Sequence, residues 1–267
     1  MTTLDVLTFN LNNPGRERAE QQLRYLVERP EQVFVLTETA DSAGCDLLSS
    51  RFTQAGYDVA FPRPPRGERG VMIVSRLAAR LTATSLEYLP HRCVSVRVGT
   101  DEGPLDVIGL YVPSRDATEP KITRKRTFLG ALAGVLPSGE DGLRLVIGDF
   151  NILEPGHQPR YPFFRQWEYD FYQWLARAGY HDAFRALHPR ALEYSWVGRT
   201  GDGYRYDHAH VSQGLAAHLR GCEYVHEVRA GRDRLTDHSA LTASLDLQPT
   251  RLLNMTERAA EVAAALF

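Results

Sequence analysis

The stretch Leu143-Arg144-Leu145-Val146-Ile147-Gly148-Asp149-Phe150-Asn151-Ile152 decides how this chain is read. Its first five residues form a short apolar run bounded by turn-formers, the pattern of a buried strand. The strand ends in Gly-Asp-x-Asn, which delivers a carboxylate and a carboxamide to the edge of a sheet. Side chains alternate along a strand, so Phe150 points away from Asp149 and Asn151. Such a pair suits a hard cation and a phosphoryl oxygen. Alone, it is only moderately specific, with an Asx turn as the lesser alternative.

Five further segments have the same character. Leu4 to Phe9 is an apolar strand ending in Asn10 and Asn12, and Val33 to Leu36 ends in Thr37-Glu38-Thr39. Val107 to Leu110 ends in Tyr111-Val112-Pro113. Tyr204-Arg205-Tyr206-Asp207-His208 leads into Ala209-His210-Val211-Ser212, and Leu235-Thr236-Asp237-His238-Ser239 precedes a strand from Ala240 to Leu245. Each sets metal-competent or proton-transferring groups where an apolar run stops. Core packing explains any one of these, but not six together.

The set resembles the endonuclease/exonuclease/phosphatase superfamily, and within it the exonuclease III branch of abasic-site endonucleases. The resemblance is carried, in the family's order, by Asn10, Glu38, Tyr111, Asp149, Asn151, Asp207, Asp237 and His238, and spans Leu4 to Leu245. Tyr194-Ser195-Trp196 ahead of Tyr204-Arg205-Tyr206-Asp207 is especially like that branch. Tyr111 separates it from the branches like pancreatic deoxyribonuclease or sphingomyelinase, which place a His near this point.

The resemblance implies an α/β fold, a four-layer α/β sandwich of two packed mixed β-sheets flanked by helices, the deoxyribonuclease I-like fold. It also implies Mg²⁺, with Mn²⁺ as a substitute, and DNA as partner, either a duplex with an abasic site or a 3′ end. Glu38 offers only oxygens and is the expected Mg²⁺ ligand, with Asn10 and Asp237 completing its shell; Mg²⁺ favours few carboxylates and several waters. Asp149, helped by Asn151, is expected to orient and deprotonate the attacking water. His238 would contact a phosphate oxygen, Asp207 would fix its tautomer, and Tyr111 would donate to phosphate.

Substrate contacts are expected from Lys125, Trp196, Arg66 and Arg69. Lys125 lies in the basic stretch Lys121 to Arg126 at the head of a helix, which reads equally as a solvated helix start. Trp196 is placed on the wall of a sugar pocket. Arg66 and Arg69 lie in a Pro/Gly loop before the strand Val71 to Val74.

Several residues at the border of the site depart from the family pattern. Thr37 stands where Gln is usual before the Glu, Arg69-Gly70-Val71 replaces an aromatic-Gly-Val, and Tyr206 and His208 flank Asp207 in place of apolar residues. These residues are expected to border the substrate and not the metal centre, so RNA, a nucleotide or a small phosphate ester stays open as substrate, and a non-catalytic binding module is the remaining alternative. His208 and His210 share a strand face; packing or a substrate contact is expected of them, with transition-metal binding the alternative.

Composition agrees with this reading but could not have produced it. The chain has 267 residues, enough for one large domain, with 43% hydrophobic and 24% charged residues. A single domain is expected over residues 1–248, followed by a C-terminal tail, 249–267, whose Ala-rich end reads as a helix packed on the domain. No apolar run approaches about 18 residues, so no membrane partner is expected, and the N-terminus lacks the pattern of a secretory signal. Cys45, Cys93 and Cys222 are scattered and odd in number, which suits a reducing, cytoplasmic setting. The expected state is a monomer. A net charge of -2 leaves nucleic-acid binding to local patches. Helices are expected at Glu17–Glu28, Asp46–Ala55, Thr123–Leu136 and Phe163–Ala178, and further strands at Leu81–Leu86, Cys93–Val98 and Leu105–Leu110.

Overall fold

The computed structural model describes residues 3–251 and Leu253. In chain order the strands are β1 (Leu4–Asn10), β2 (Val33–Thr39), β3 (Asp58–Ala60), β4 (Gly70–Ser75), β5 (Ala79–Thr82), β6 (Cys93–Thr100) and β7 (Gly103–Tyr111). They continue as β8 (Leu143–Asp149), β9 (Tyr180–Asp182), β10 (Trp196–Val197), β11 (Gly203–Tyr204), β12 (Asp207–Ser212), β13 (Leu219–Val225) and β14 (Ala240–Leu245). The four long helices are α1 (Arg16–Glu28), α2 (Ala43–Gln54), α3 (Glu119–Val135) and α4 (Gln166–Arg177).

The strands form two six-stranded sheets, ordered β13-β14-β1-β2-β4-β3 and β5-β6-β7-β8-β12-β9, with β10-β11 as a separate hairpin. Both sheets are mixed: β1 pairs parallel with β2 and antiparallel with β14, and β8 pairs parallel with β7 and antiparallel with β12.

Alternation along each strand explains the layering. In β1, Val6 joins the core between the two sheets, whereas Leu7 and Phe9 face the other way, onto Leu23 and Leu26 of α1 and Leu48 and Phe52 of α2. In β8, Leu145 and Ile147 enter the inter-sheet core, and Val146 packs with Phe128 and Leu132 of α3 and Phe171 and Leu175 of α4. Burying strands on both faces calls for near-continuous apolar runs. The result is helix, sheet, sheet, helix, the expected four-layer sandwich.

The expected helices form, with ends shifted by at most four residues; α3 starts earlier, with a Pro in its first turn. The strand expected at Leu81–Leu86 stops at Thr82. It is the outer strand of its sheet, and Leu81 is 58% exposed. All three cysteines are buried and free. No helix among the described residues is long and apolar enough to cross a membrane. The tail begins on the domain: Thr250 N donates to Gly99 O at 3.0 Å and Ala78 N to Arg251 O at 3.1 Å. The helix expected from Asn254 onward lies outside the described residues.

Candidate active site

The register of the second sheet sets the first row of the site. Asp149, at the end of β8, lies opposite Tyr111 of β7 on one side and Asp207 of β12 on the other. Three polar side chains thus stand abreast where three apolar strands stop. Gly148 permits this: it has a φ of 149°, and a Cβ there would run into the Leu110 carbonyl. Phe150 turns into the core, as alternation requires.

The first sheet contributes Asn10 and Glu38. The Asn10 Nδ2 donates to Glu38 Oε1 at 3.2 Å and to Asp149 Oδ2 at 3.1 Å, tying the two sheets together. Glu38 and Asn151 carry positive φ values of 54° and 48°. Side chains other than glycine resist this conformation, and such strain gathers at functional sites. Asn151 N donates to Asp149 Oδ1 at 2.9 Å, which fixes the carboxylate.

His238 comes from the loop before β14. Its Nδ1 meets Asp207 Oδ2 at 2.7 Å, leaving Nε2 toward the cleft. Asp207 is itself buried and held: its N donates to Ser195 Oγ at 3.1 Å, while its carbonyl accepts from the Tyr224 hydroxyl at 2.5 Å.

The electrostatics are those of crowded acids. Burial, then the Asp207 carboxylate, pushes Asp149 well above the usual carboxylate range, against the pull of His238. Burial opposes charge on His238, but Asp207 outweighs it and lifts the imidazole to about 10. Burial and the Glu38 and Asp149 charges raise the Tyr111 hydroxyl well above its ordinary value. The Arg92 guanidinium, 4.7 Å from the Tyr111 ring centre, works the other way.

A divalent cation fits this donor set. Glu38, Asp149 and His238 offer ligand atoms within 4.8 Å of one another. Among the described residues no Lys or Arg forms an ion pair with Glu38, Asp149 or Asp207; the cationic partner there is His238, on Asp207. Hard oxygen donors suit Mg²⁺ or Mn²⁺.

Asp237, expected beside the metal, accepts from Asn12 Nδ2 at 2.9 Å and from Trp196 Nε1 at 3.3 Å. Asn10 turns its amide nitrogen to the carboxylates, and its oxygen accepts from Asn12 N at 2.8 Å. Lys125, expected at a DNA phosphate, is 1% exposed; its Nζ donates to Glu168 at 2.6 Å and to the Asn151 carbonyl at 2.5 Å. Burial lowers it to about 8, against the Glu168 charge. It braces the Asn151 loop from beneath. The rest of the basic stretch is largely paired as well, Lys121 with Asp116 and Arg124 with Glu68. Arg66 is exposed, and Arg69 donates to the Glu68 carbonyl at 3.3 Å; neither lines the cavity beside His238.

That cavity, of about 420 Å³, is walled by Tyr161, Phe163, Phe164, Trp196 and Tyr206 and reaches His238 and Asn151. Trp196 therefore lies where a pocket wall was expected. Tyr161, Phe163 and Phe164 were not expected there. Their stretch, Arg160-Tyr-Pro-Phe-Phe-Arg165, is conspicuously aromatic and basic, but only folding sets it against Tyr204 and Tyr206. Arg115 closes the floor, with its guanidinium 4.1 Å from the Phe163 ring centre and paired to Glu168.

No curated protein sequence matches the chain. Among solved structures, a 3′ phosphatase from Neisseria bound to product DNA hairpin superposes with a TM-score of 0.79 at 25% identity, covering 91% of this chain and 99% of that one. A 3′-5′ exonuclease from Neisseria meningitidis gives 0.77 at 25% identity, covering 91% and 100%. An AP endonuclease from Archaeoglobus fulgidus gives 0.77 at 23% identity, covering 91% and 99%, a likeness of fold. The sequence profile of the Endonuclease/Exonuclease/phosphatase family matches residues 7–238, a span that includes Asp149, Asp207 and His238. The chain therefore belongs to that family of metal-dependent phosphoester hydrolases.

Proposed function

We propose that the protein is a Mg²⁺-dependent DNA nuclease of exonuclease III type, acting at abasic sites or 3′ ends. The observation that carries this reading is the aromatic cavity opening directly onto His238 and Asn151. A sugar or terminal nucleotide seated there would set its phosphate against the catalytic row. Aromatic walls bind nucleic acid by stacking, at about 1–3 kcal/mol per base. The two Neisseria structures, one a 3′ phosphatase bound to DNA and one a 3′-5′ exonuclease, support a DNA substrate.

The residues divide the work by position. Bound metal would be held by Glu38 and Asp149 and would supply charge neutralisation for the scissile phosphate and leaving oxygen. Asp149, held by Asn10 and the Asn151 backbone, accepts the proton of the attacking water. His238, protonated and steered by Asp207, donates from Nε2 to a phosphate oxygen. Tyr111, protonated because it is buried among carboxylates, donates a second hydrogen bond. Lys125 holds the Asn151 loop that follows Asp149. Preorganised donors of this kind lose little to reorganisation as charge develops.

A second reading, hydrolysis of a small phosphate ester, is favoured by the paired state of the basic residues at the head of α3. One experiment separates the two. The protein is incubated with Mg²⁺ and an end-labelled duplex holding one abasic-site analogue, beside intact duplex, single strand and a duplex with a 3′ phosphate. Incision 5′ to the lesion or removal of the 3′ group, abolished by EDTA and by Asp149→Asn, is the expected result. Failure to act on any of these nucleic acids would exclude the nuclease reading in favour of small esters.

A further inference from the structure

Asp182, His208 and His210 form a second cluster, behind the catalytic row and unused by the chemistry above. Asp182 on β9 lies opposite His210 on β12, and His208 is two residues before it on the same face. Their ligand atoms lie within 4.8 Å of one another. His208 is 0% and His210 2% exposed.

The hydrogen bonding around the two rings is incomplete in a specific way. His208 Nε2 lies 3.1 Å from the Ile152 carbonyl, which can only accept. Nε2 therefore carries a proton, and Nδ1 is the nitrogen turned toward Asp182. It lies 3.6 Å from Asp182 Oδ2, beyond hydrogen-bond distance. His208 Nδ1 and His210 Nε2 both lack a hydrogen-bond partner among the described residues. Each such atom in a dry interior costs about 1–3 kcal/mol. Two free nitrogens and a carboxylate aimed at one point call for a cation between them. A backbone carbonyl on the far nitrogen of His208 is also how a metal-ligating imidazole is commonly oriented.

We propose that Asp182, His208 and His210 bind a transition-metal ion of the Zn²⁺ type, at a site separate from the catalytic carboxylates. The surroundings select the class of ion. Asp182 Oδ2 already accepts from Arg205 at 2.7 Å and from the Tyr172 hydroxyl at 2.6 Å, and its Oδ1 accepts from Arg185 N at 2.9 Å. A hard ion such as Mg²⁺ finds only this one, partly neutralised carboxylate. Two neutral imidazoles suit Zn²⁺, Co²⁺ or Ni²⁺. The nearby Arg205 charge opposes any cation, so binding rests on the imidazoles. Burial holds His210 down at about 3, which keeps its nitrogen free for a metal.

The site's position gives the ion a structural task. His208 follows Asp207, which steers His238, and its ring holds Ile152, which follows Asn151. An ion there would pin β9, β12 and the Asn151 loop without touching substrate.

The test uses full-length protein stripped with chelator and then incubated for hours with Co²⁺ in the presence of excess Mg²⁺. Visible absorption and bound-metal analysis are read for the wild type, His210→Leu, His210→Gln and Glu38→Gln. The proposal expects one Co²⁺ per chain with a low-symmetry visible band, displaced by Zn²⁺ and kept in Glu38→Gln. Both His210 variants, folded by circular dichroism, should lose that equivalent and the rise in Tm that Zn²⁺ gives the wild type. Two variants of different polarity guard against one failing to fold. No bound equivalent in the wild type, or an unchanged band in a folded His210 variant, would overturn the proposal and leave a proton as the bridge between His208 and Asp182.

Discussion

His238 and Asp207 lie 31 residues apart in the chain and meet with Nδ1 and Oδ2 2.7 Å apart. The contact is braced on both sides. A backbone bridge ties Trp196 to His238, and Tyr224 and Ser195 hold the Asp207 main chain. Imidazole orientation is thus a property of the sheet and not of a mobile side chain.

Asp207→Asn keeps the shape of this contact and removes its charge. We expect phosphodiester cleavage to fall by about 10³-fold or more, as follows when a buried carboxylate no longer orients a catalytic imidazole. The pH dependence should change with it. His238 has a folded pKa of about 10 against an ordinary 6.5, so the pair's stabilisation is complete below 6.5 and is lost as pH rises through 10. Denaturant melts from pH 6 to 10 should show that slope in the wild type and little of it in the variant.

Asp149 is charged at a cost in the metal-free protein. Its folded pKa is raised above the ordinary 3.8, so stability falls as pH climbs above 3.8 toward the folded value. Asp149→Asn should remove that cost and raise Tm in EDTA at neutral pH. Adding Mg²⁺ should then raise the wild-type Tm more than the variant's, while activity is lost only in the variant. Scanning calorimetry with and without Mg²⁺ checks both signs.

Trp196→Ala and Tyr206→Ala each remove an aromatic wall beside His238. With stacking at about 1–3 kcal/mol, KM for DNA should rise by about 10- to 100-fold, with a smaller change in kcat. An equal loss on a small phosphate diester would show that the walls support the fold and not the substrate.

Glu154 accepts from both Arg185 and Arg205. Burial alone would raise its pKa, but the two guanidinium groups hold it down at about 2, below an ordinary 4.5. Its stabilisation is full above 4.5 and is lost as pH falls through 2. Glu154→Gln should cost about 3 kcal/mol at pH 7, and the gap to wild type should narrow below pH 4.5 in urea titrations.

Gly148→Ala places a methyl group against the Leu110 carbonyl at a positive φ. The cost should be at least about 2 kcal/mol, with activity falling further because Asp149 moves with it. Urea midpoints and specific activity of the remaining folded protein measure the two effects separately.

Local pattern fixed the strands that end at the site, the four long helices and the polar groups at those strand ends, because alternation and apolar runs are short-range signals, while short or edge strands such as β3, β9 and β13 escaped it. Asp149, Asp207, Glu38 and His238 were legible in this way, and the family resemblance assigned their expected roles. Tertiary structure alone decided how those groups are partnered. Asp237 turned to Trp196 and Asn12, and Lys125 went under the Asn151 loop onto Glu168, 43 residues further along the chain. The aromatic residues Tyr161, Phe163 and Phe164 became a pocket wall only when their loop met Tyr204 and Tyr206. The partner of a charge depends on which distant element packs over it, and that information lies in the register of two sheets and not in any window of sequence.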